Sequence, residues 1–173
     1  FGLSYTSFEY SDLKIQEKPN GNVTVQATVK NTGSRAGDEV VQLYVTDMYA
    51  SVKTRVMELK DFDRIYLQPG ESKTVSFELT PYDISLLNDR MDRVVEKGEF
   101  KICVGGMSPD YVAKNEIKHS VGYGDKKKGV SGMLNYTHEF GADFLLSISK
   151  VEENLIKNQK TVWVSVKNDG TLM

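Results

Sequence analysis

A period of two runs through most of this chain. In NVTVQATVKN, Val23, Val25, Ala27 and Val29 fall on one face, with Thr24, Gln26, Thr28 and Lys30 on the other. That is the signature of a strand with one face on a core. KTVSFEL sets Val75, Phe77 and Leu79 inward, and EFKICV does the same with Phe100, Ile102 and Val104. EVVQLYV adds Val40 and Tyr44 opposite Val41, Leu43 and Val45, which predicts a more central strand. Asn20-Gly21 and Pro69-Gly70 supply turns between these segments. The best helix signal is TPYDISLL. Thr80 can cap, Pro81 suits the first position and Asp83 favours the positive end of the dipole. One or two helical turns are expected there. Many short strands with almost no helix predict an all-β fold, an antiparallel β-sandwich.

The 173 residues suffice for one domain with a full core and part of a second. A net charge of −2 gives no basic excess for nucleic acid, and no apolar run approaches a membrane span. The one cysteine, Cys103, excludes an internal disulfide framework and a cysteine-based zinc cluster. It reads as a buried strand residue rather than a nucleophile, because no partner base stands nearby in the sequence. The chain starts on Phe1 and stops on KNDGTLM, so both ends look cut and a piece of a longer polypeptide is expected.

Between residues 105 and 142 glycine and charge are frequent and alternation is poor. A final strand or two is expected near residues 110 to 121, then a linker over 122–142 that includes the solvated run Lys126 to Lys128. Beyond it the opening pattern returns. Phe8, Ser11, Lys14 and Glu17 recur as Phe144, Ser147, Lys150 and Glu153, and TVQATVKNTG recurs as TVWVSVKNDG. Residues 143–173 are therefore expected to be the first strands of a second, truncated β-sandwich-like repeat. Two strands alone cannot bury a core.

Little in the residues points to chemistry. In VKNTGSRAGDEVVQLYV, Asp38 and Glu39, with Asp47, could be read as a cation site. Neighbours on a strand point to opposite faces, so a loop between two strands is the stronger reading. His119 and His138 stand too far apart in the sequence to suggest a metal site, and the sequons at Asn22 and Asn135 are short patterns that arise by chance. No catalytic residue, metal or cofactor is expected.

KNTGSRAGDEVVQLYV, then ELKDFDRIYLQPGESKTVSFELTPYDIS, then VVEKGEFKICVGGMS, stand in the order found in the C-terminal fibronectin type III-like domain of glycoside hydrolase family 3. The chain resembles that domain over roughly residues 1 to 108. The enzymes concerned are β-glucosidases, β-xylosidases and their kin. FGLSYTSFEY is similar to the segment that joins it to a preceding α/β domain, here residues 1–8, with the domain itself over 9–121. Asp61 stands in LKDF where the family usually has glycine.

The resemblance implies an immunoglobulin/fibronectin type III-like sandwich in a periplasmic, secreted or cell-surface protein. It implies a retaining glycosidase whose two carboxyl groups, about 5–5.5 Å apart, lie on other domains. The expected role is therefore that of a non-catalytic scaffold module. It would pack against the catalytic domains of the same polypeptide through Phe1, Leu3, Tyr5, Leu59 and Phe62. The long connection DMYASVKTRVM is expected to reach a substrate cleft if any segment does, with Tyr49 stacking on a sugar and Arg55 donating hydrogen bonds. An independent carbohydrate-binding module would instead show a row of exposed aromatics, for which Tyr49, Tyr123, Tyr136 and Trp163 are the candidates. A cell-surface spacer would show tandem repeats with polar faces.

Overall fold

The computed structural model describes residues 4–113, 119–141, 144–154 and 159–168, with side chains for 4–110 and 122–141. Strands follow one another without a helix among the described residues: β1 (Phe8–Glu17), β2 (Val23–Asn31), β3 (Gly37–Asp47), β4 (Glu58–Leu67), β5 (Ser72–Leu79), β6 (Leu86–Leu87) and β7 (Arg93–Val94). They continue as β8 (Gly98–Gly105), β9 (Asp110–Ala113), β10 (His119–Gly122), β11 (Gly129–Tyr136), β12 (Phe144–Asn154) and β13 (Gln159–Asn168).

A three-stranded sheet, β1-β2-β5, lies on a four-stranded sheet, β11-β8-β3-β4, and all the pairings are antiparallel. The residues that alternation set inward form the core between them. Val23, Val25, Ala27 and Val29 from one sheet meet Val41, Leu43, Phe100, Ile102 and Val104 from the other. β3 takes a central place, as its two-sided apolar pattern predicts. Both glycine turns form: Gly21 at φ 81° and Gly70 at φ 79° occupy the left-handed region that disfavours a Cβ.

Two expectations need correction. TPYDISLL is a turn, not a helix. The Asp83 carboxylate accepts from the Thr80 amide at 2.7 Å and from its hydroxyl at 2.6 Å, while the Asp83 amide donates back to the Thr80 carbonyl. Ile84 and Leu86 are then both buried. That spacing of two belongs to an extended chain, and it draws the segment into β6.

Residues 122–142 are not simply a linker. They hold β11, which pairs with β8 from Gly129↔Gly105 to Tyr136↔Gly98. Leu134 and Tyr136 lie in the core, and the Tyr136 hydroxyl donates to the Gly21 carbonyl at 2.7 Å. Past the strand, Thr137 and His138 fasten to Glu17. Its carboxylate accepts from the Thr137 amide at 3.1 Å and lies against His138 Nδ1. The domain therefore runs on past residue 121, at least to Phe140, whose backbone bridges to Val95.

β12 and β13 reproduce the backbone pairing of β1 and β2. Phe8↔Asn31 and Tyr10↔Val29 correspond to Phe144↔Asn168 and Leu146↔Val166. The register shift between Ser11 and Lys14 is matched by one between Ile148 and Lys150. The recurrence seen in the residues is thus also a recurrence of hydrogen-bonding register.

Candidate functional site

The loop KNTGSRAGDEV holds no carboxylate cluster. Asp38 points outward to Arg64 at 3.0 Å, while Glu39 turns to Tyr10, whose hydroxyl donates at 2.6 Å. Burial raises the Glu39 carboxyl, and the Tyr10 hydrogen bond only partly offsets it. Asn31 secures the loop: its amide nitrogen donates to the carbonyls of Arg35 and Leu67, and its oxygen accepts from Thr6 and Gly33. No group of three or more metal-ligating side chains occurs among the described residues.

The outer face of the four-stranded sheet is built in two halves. Over β8 and β11 it is covered. The Tyr123 ring lies against Gly105 and Gly129, and its hydroxyl donates to the Met107 carbonyl at 2.8 Å. A Cβ on Gly129 would lie 2.5 Å from the Val104 carbonyl oxygen, so this close approach needs glycine. Beneath this cover Cys103 is 1% exposed, and burial, barely offset by Lys101, pushes its thiol up to about 11. It is a strand residue with no thiolate to offer.

Over β3 and β4 the same face is bare. Leu59 is 50% exposed and Phe62 is 64% exposed, with Tyr66 and Val40 also open. The register explains the grouping. Phe62 lies opposite Gln42 and Leu59 opposite Tyr44, with an irregularity between Leu43 and Tyr44 that leaves Lys60 as the extra residue. One extra residue shifts the parity, so side chains three apart emerge on one face. Tyr5 is exposed too, at 83%, beside the Asn31 end of the sandwich. Phe1 and Leu3 lie outside the described residues.

The connection after β3 is tied down at its tip. Ser51 donates its amide to Glu96 at 3.0 Å and its hydroxyl to the same carboxylate, and Tyr49 donates its amide to Asp47 at 3.1 Å. The Tyr49 side chain is exposed, whereas Arg55 lines a groove of about 470 Å³ with Val52, Lys53, Tyr82, Asp83 and Arg93. The structure thus separates the two residues that the sequence grouped, since Tyr49 does not line this groove. Of the candidate aromatic row, Tyr136 is a core residue and Tyr123 is the cover over β8. Trp163 has no described side chain. Arg93 and Tyr82 were not singled out from the sequence. They lie eleven residues apart, and only the turn at Thr80 to Asp83 and the β6–β7 hairpin bring them together.

Residues 39–108 match the model of the fibronectin type III-like domain. The chain carries that domain in its glycoside hydrolase family 3 form. It is 50% identical over 111 residues to a beta-xylosidase of Formosa agariphila, covering 62% of this chain and 15% of that protein. It is 40% identical over 108 residues to the periplasmic beta-glucosidase of Salmonella typhimurium, covering 61% and 14%. Among solved structures, beta-glucosidase 3B from Thermotoga neapolitana in complex with alpha-D-glucose aligns at a TM-score of 0.64 and 32% identity, over 80% of this chain and 17% of that one. The fibronectin type III-like domain thus spans a small fraction of the relatives it matches. The matched segment leaves out β1, β2 and β11, which the structure nonetheless builds into the same sandwich.

Proposed function

We propose that this chain is a non-catalytic scaffold module of a retaining, β-glucosidase-like glycoside hydrolase, and that it packs against the catalytic domains of the same polypeptide. The observation that carries the reading is the bare half of the outer sheet face, with Leu59, Phe62, Tyr66 and Val40 exposed on β3 and β4. Apolar side chains grouped on one face are costly in water at about 25 cal/mol per Å² and mark a contact surface. Phe1, Leu3 and Tyr5 would extend the contact from the joining segment. A periplasmic or secreted setting is the natural one for such an enzyme, and a periplasmic relative supports it.

The test is Phe62→Asp in the parent enzyme and in the 173-residue chain. A large fall in Tm of the parent with no change in the isolated chain is expected. Equal Tm values for variant and wild-type parent would overturn the docking role.

Residues 144–168 are proposed to open a second unit of the same kind. The shared register of β12–β13 and β1–β2 supports this, and it favours a spacer-like extension over an unstructured tail.

A further inference from the structure

The groove beside the β3–β4 connection has a composition that neither the docking face nor the core requires. Four cationic side chains line it, Lys53, Arg55, Lys60 and Arg93, against two carboxylates, Glu58 and Asp83. Lys60 is neutralised by Glu58 at 2.6 Å. Asp83 spends one oxygen, Oδ2, on the Thr80 amide and hydroxyl, and its Oδ1 takes neither bond. Lys53, Arg55 and Arg93 have no carboxylate partner among the described residues. The excess is positive and unsatisfied.

Arg93 is also held in place. Its guanidinium lies 4.5 Å from the centroid of the Tyr82 ring and donates to the Ser85 hydroxyl at 2.9 Å. The Ser85 hydroxyl in turn donates to the Tyr82 carbonyl at 2.7 Å. A guanidinium fixed on an aromatic face by one nitrogen keeps its other N–H groups free for a planar, bidentate acceptor. Tyr82 and Leu87, both exposed, give the groove an apolar wall.

We propose that this groove binds a carboxylate-bearing saccharide, a hexuronate unit held through its carboxylate by Arg93 and Arg55. Each part of the lining has a use in that complex. The arginines take the carboxylate, the Tyr82–Leu87 wall takes the C–H face of the ring, and Asp83 Oδ1 and Glu58 accept from sugar hydroxyls. A hexuronate carries a single charge, with its hydroxyls set apart from it around the ring. Phosphate concentrates its charge and its one or two hydroxyls on one centre and would bring more negative charge against the same two carboxylates. A groove of about 470 Å³ also falls within the usual size of small-ligand sites. The inference is independent of the docking reading, since the groove residues are distinct from Leu59, Phe62 and Tyr66.

The test is an NMR titration of the 173-residue chain with methyl β-D-glucuronide, methyl β-D-glucoside and inorganic phosphate. The glucuronide is expected to give saturable shifts at Lys53, Arg55, Leu87 and Arg93, binding at least about tenfold more tightly than the glucoside, the scale of a charge-assisted hydrogen bond. Raising the salt is expected to weaken it, because the cations are partly exposed. Arg93→Ala should abolish binding. Arg55→Gln, a change at an exposed loop residue that leaves the fold intact, should weaken it about tenfold. No saturable shift with the glucuronide would overturn the proposal. So would equal binding of glucoside and glucuronide, equal binding of phosphate, or an Arg55→Gln variant that binds as tightly as the wild type.

Discussion

The two halves of the outer face of the four-stranded sheet belong to one sheet and sit over one core, yet they end differently. Over β8 and β11 the chain supplies its own cover, the Tyr123 ring, and Cys103 is sealed from water. Over β3 and β4 no described segment returns, and Leu59, Phe62 and Tyr66 stay open. The difference shows how a sandwich with one core can carry two kinds of outer surface. One is closed by the chain itself, at the expense of glycine at Gly105 and Gly129. The other is left for something else to close. In the four-stranded sheet, aromatic and apolar side chains on the solvent side are therefore not a uniform signal of core.

The comparison is most easily broken at the covered half's own strand. If β11 belongs to the domain, Tyr136→Ala removes a buried ring packed on Phe100 and a hydroxyl bonded to Gly21. A loss of about 3–5 kcal/mol is expected from urea unfolding. A change close to zero would return residues 122–142 to a mere linker. Next in size, Gly129→Ala pushes a methyl group against the Val104 carbonyl and the Tyr123 ring. Overpacking of this kind costs about 1–3 kcal/mol. It should also speed the reaction of Cys103 with a thiol reagent, because the cover lifts before the sandwich unfolds. On the bare half, Phe62→Ser in the isolated chain should stay within about 0.5 kcal/mol, as expected for an exposed site. The contrast between the two substitutions is what the asymmetry amounts to energetically.

Acid should sharpen the account of the clasp that follows β11. Burial alone would raise the Glu17 carboxyl, but the hydrogen bonds from His138 and Thr137 outweigh it and hold it below its ordinary value of 4.5. A depressed carboxyl contributes stability above its unfolded value and loses it as pH falls through the folded one. Stability measured by urea between pH 7 and pH 3 should therefore drop below about pH 4.5, and Glu17→Gln should flatten that limb. Glu39, raised by burial, acts with the opposite sign and softens the drop.

Much of this was legible from residues. Strands β2 and β5 alternate cleanly because each buries one full face, β3 and β8 carry apolar residues on both faces because they lie centrally in their sheet, and the turns at Gly21 and Gly70 carry their own punctuation. β11 was harder to see. Its inward positions are Val130, Gly132, Leu134 and Tyr136, and the glycine breaks the apolar row because Leu13 and Ile15 of β1 come down onto it. The Thr80–Asp83 signals of a helix start were real hydrogen bonds, but two buried residues at a spacing of two decided against a helix. The exposure of Leu59 beside Phe62 depends on the extra residue at Lys60, a register shift that period-two reading does not carry. The Arg93–Tyr82 stack depends on a turn and a hairpin together, and no spacing in the sequence announces it.

The most direct test of the docking account is hydroxyl-radical footprinting of the parent enzyme beside the 173-residue chain. Leu59, Phe62 and Tyr66 should label readily in the isolated chain and be protected in the parent, while buried Tyr136 is protected in both. Equal labelling of the three side chains in chain and parent would contradict it.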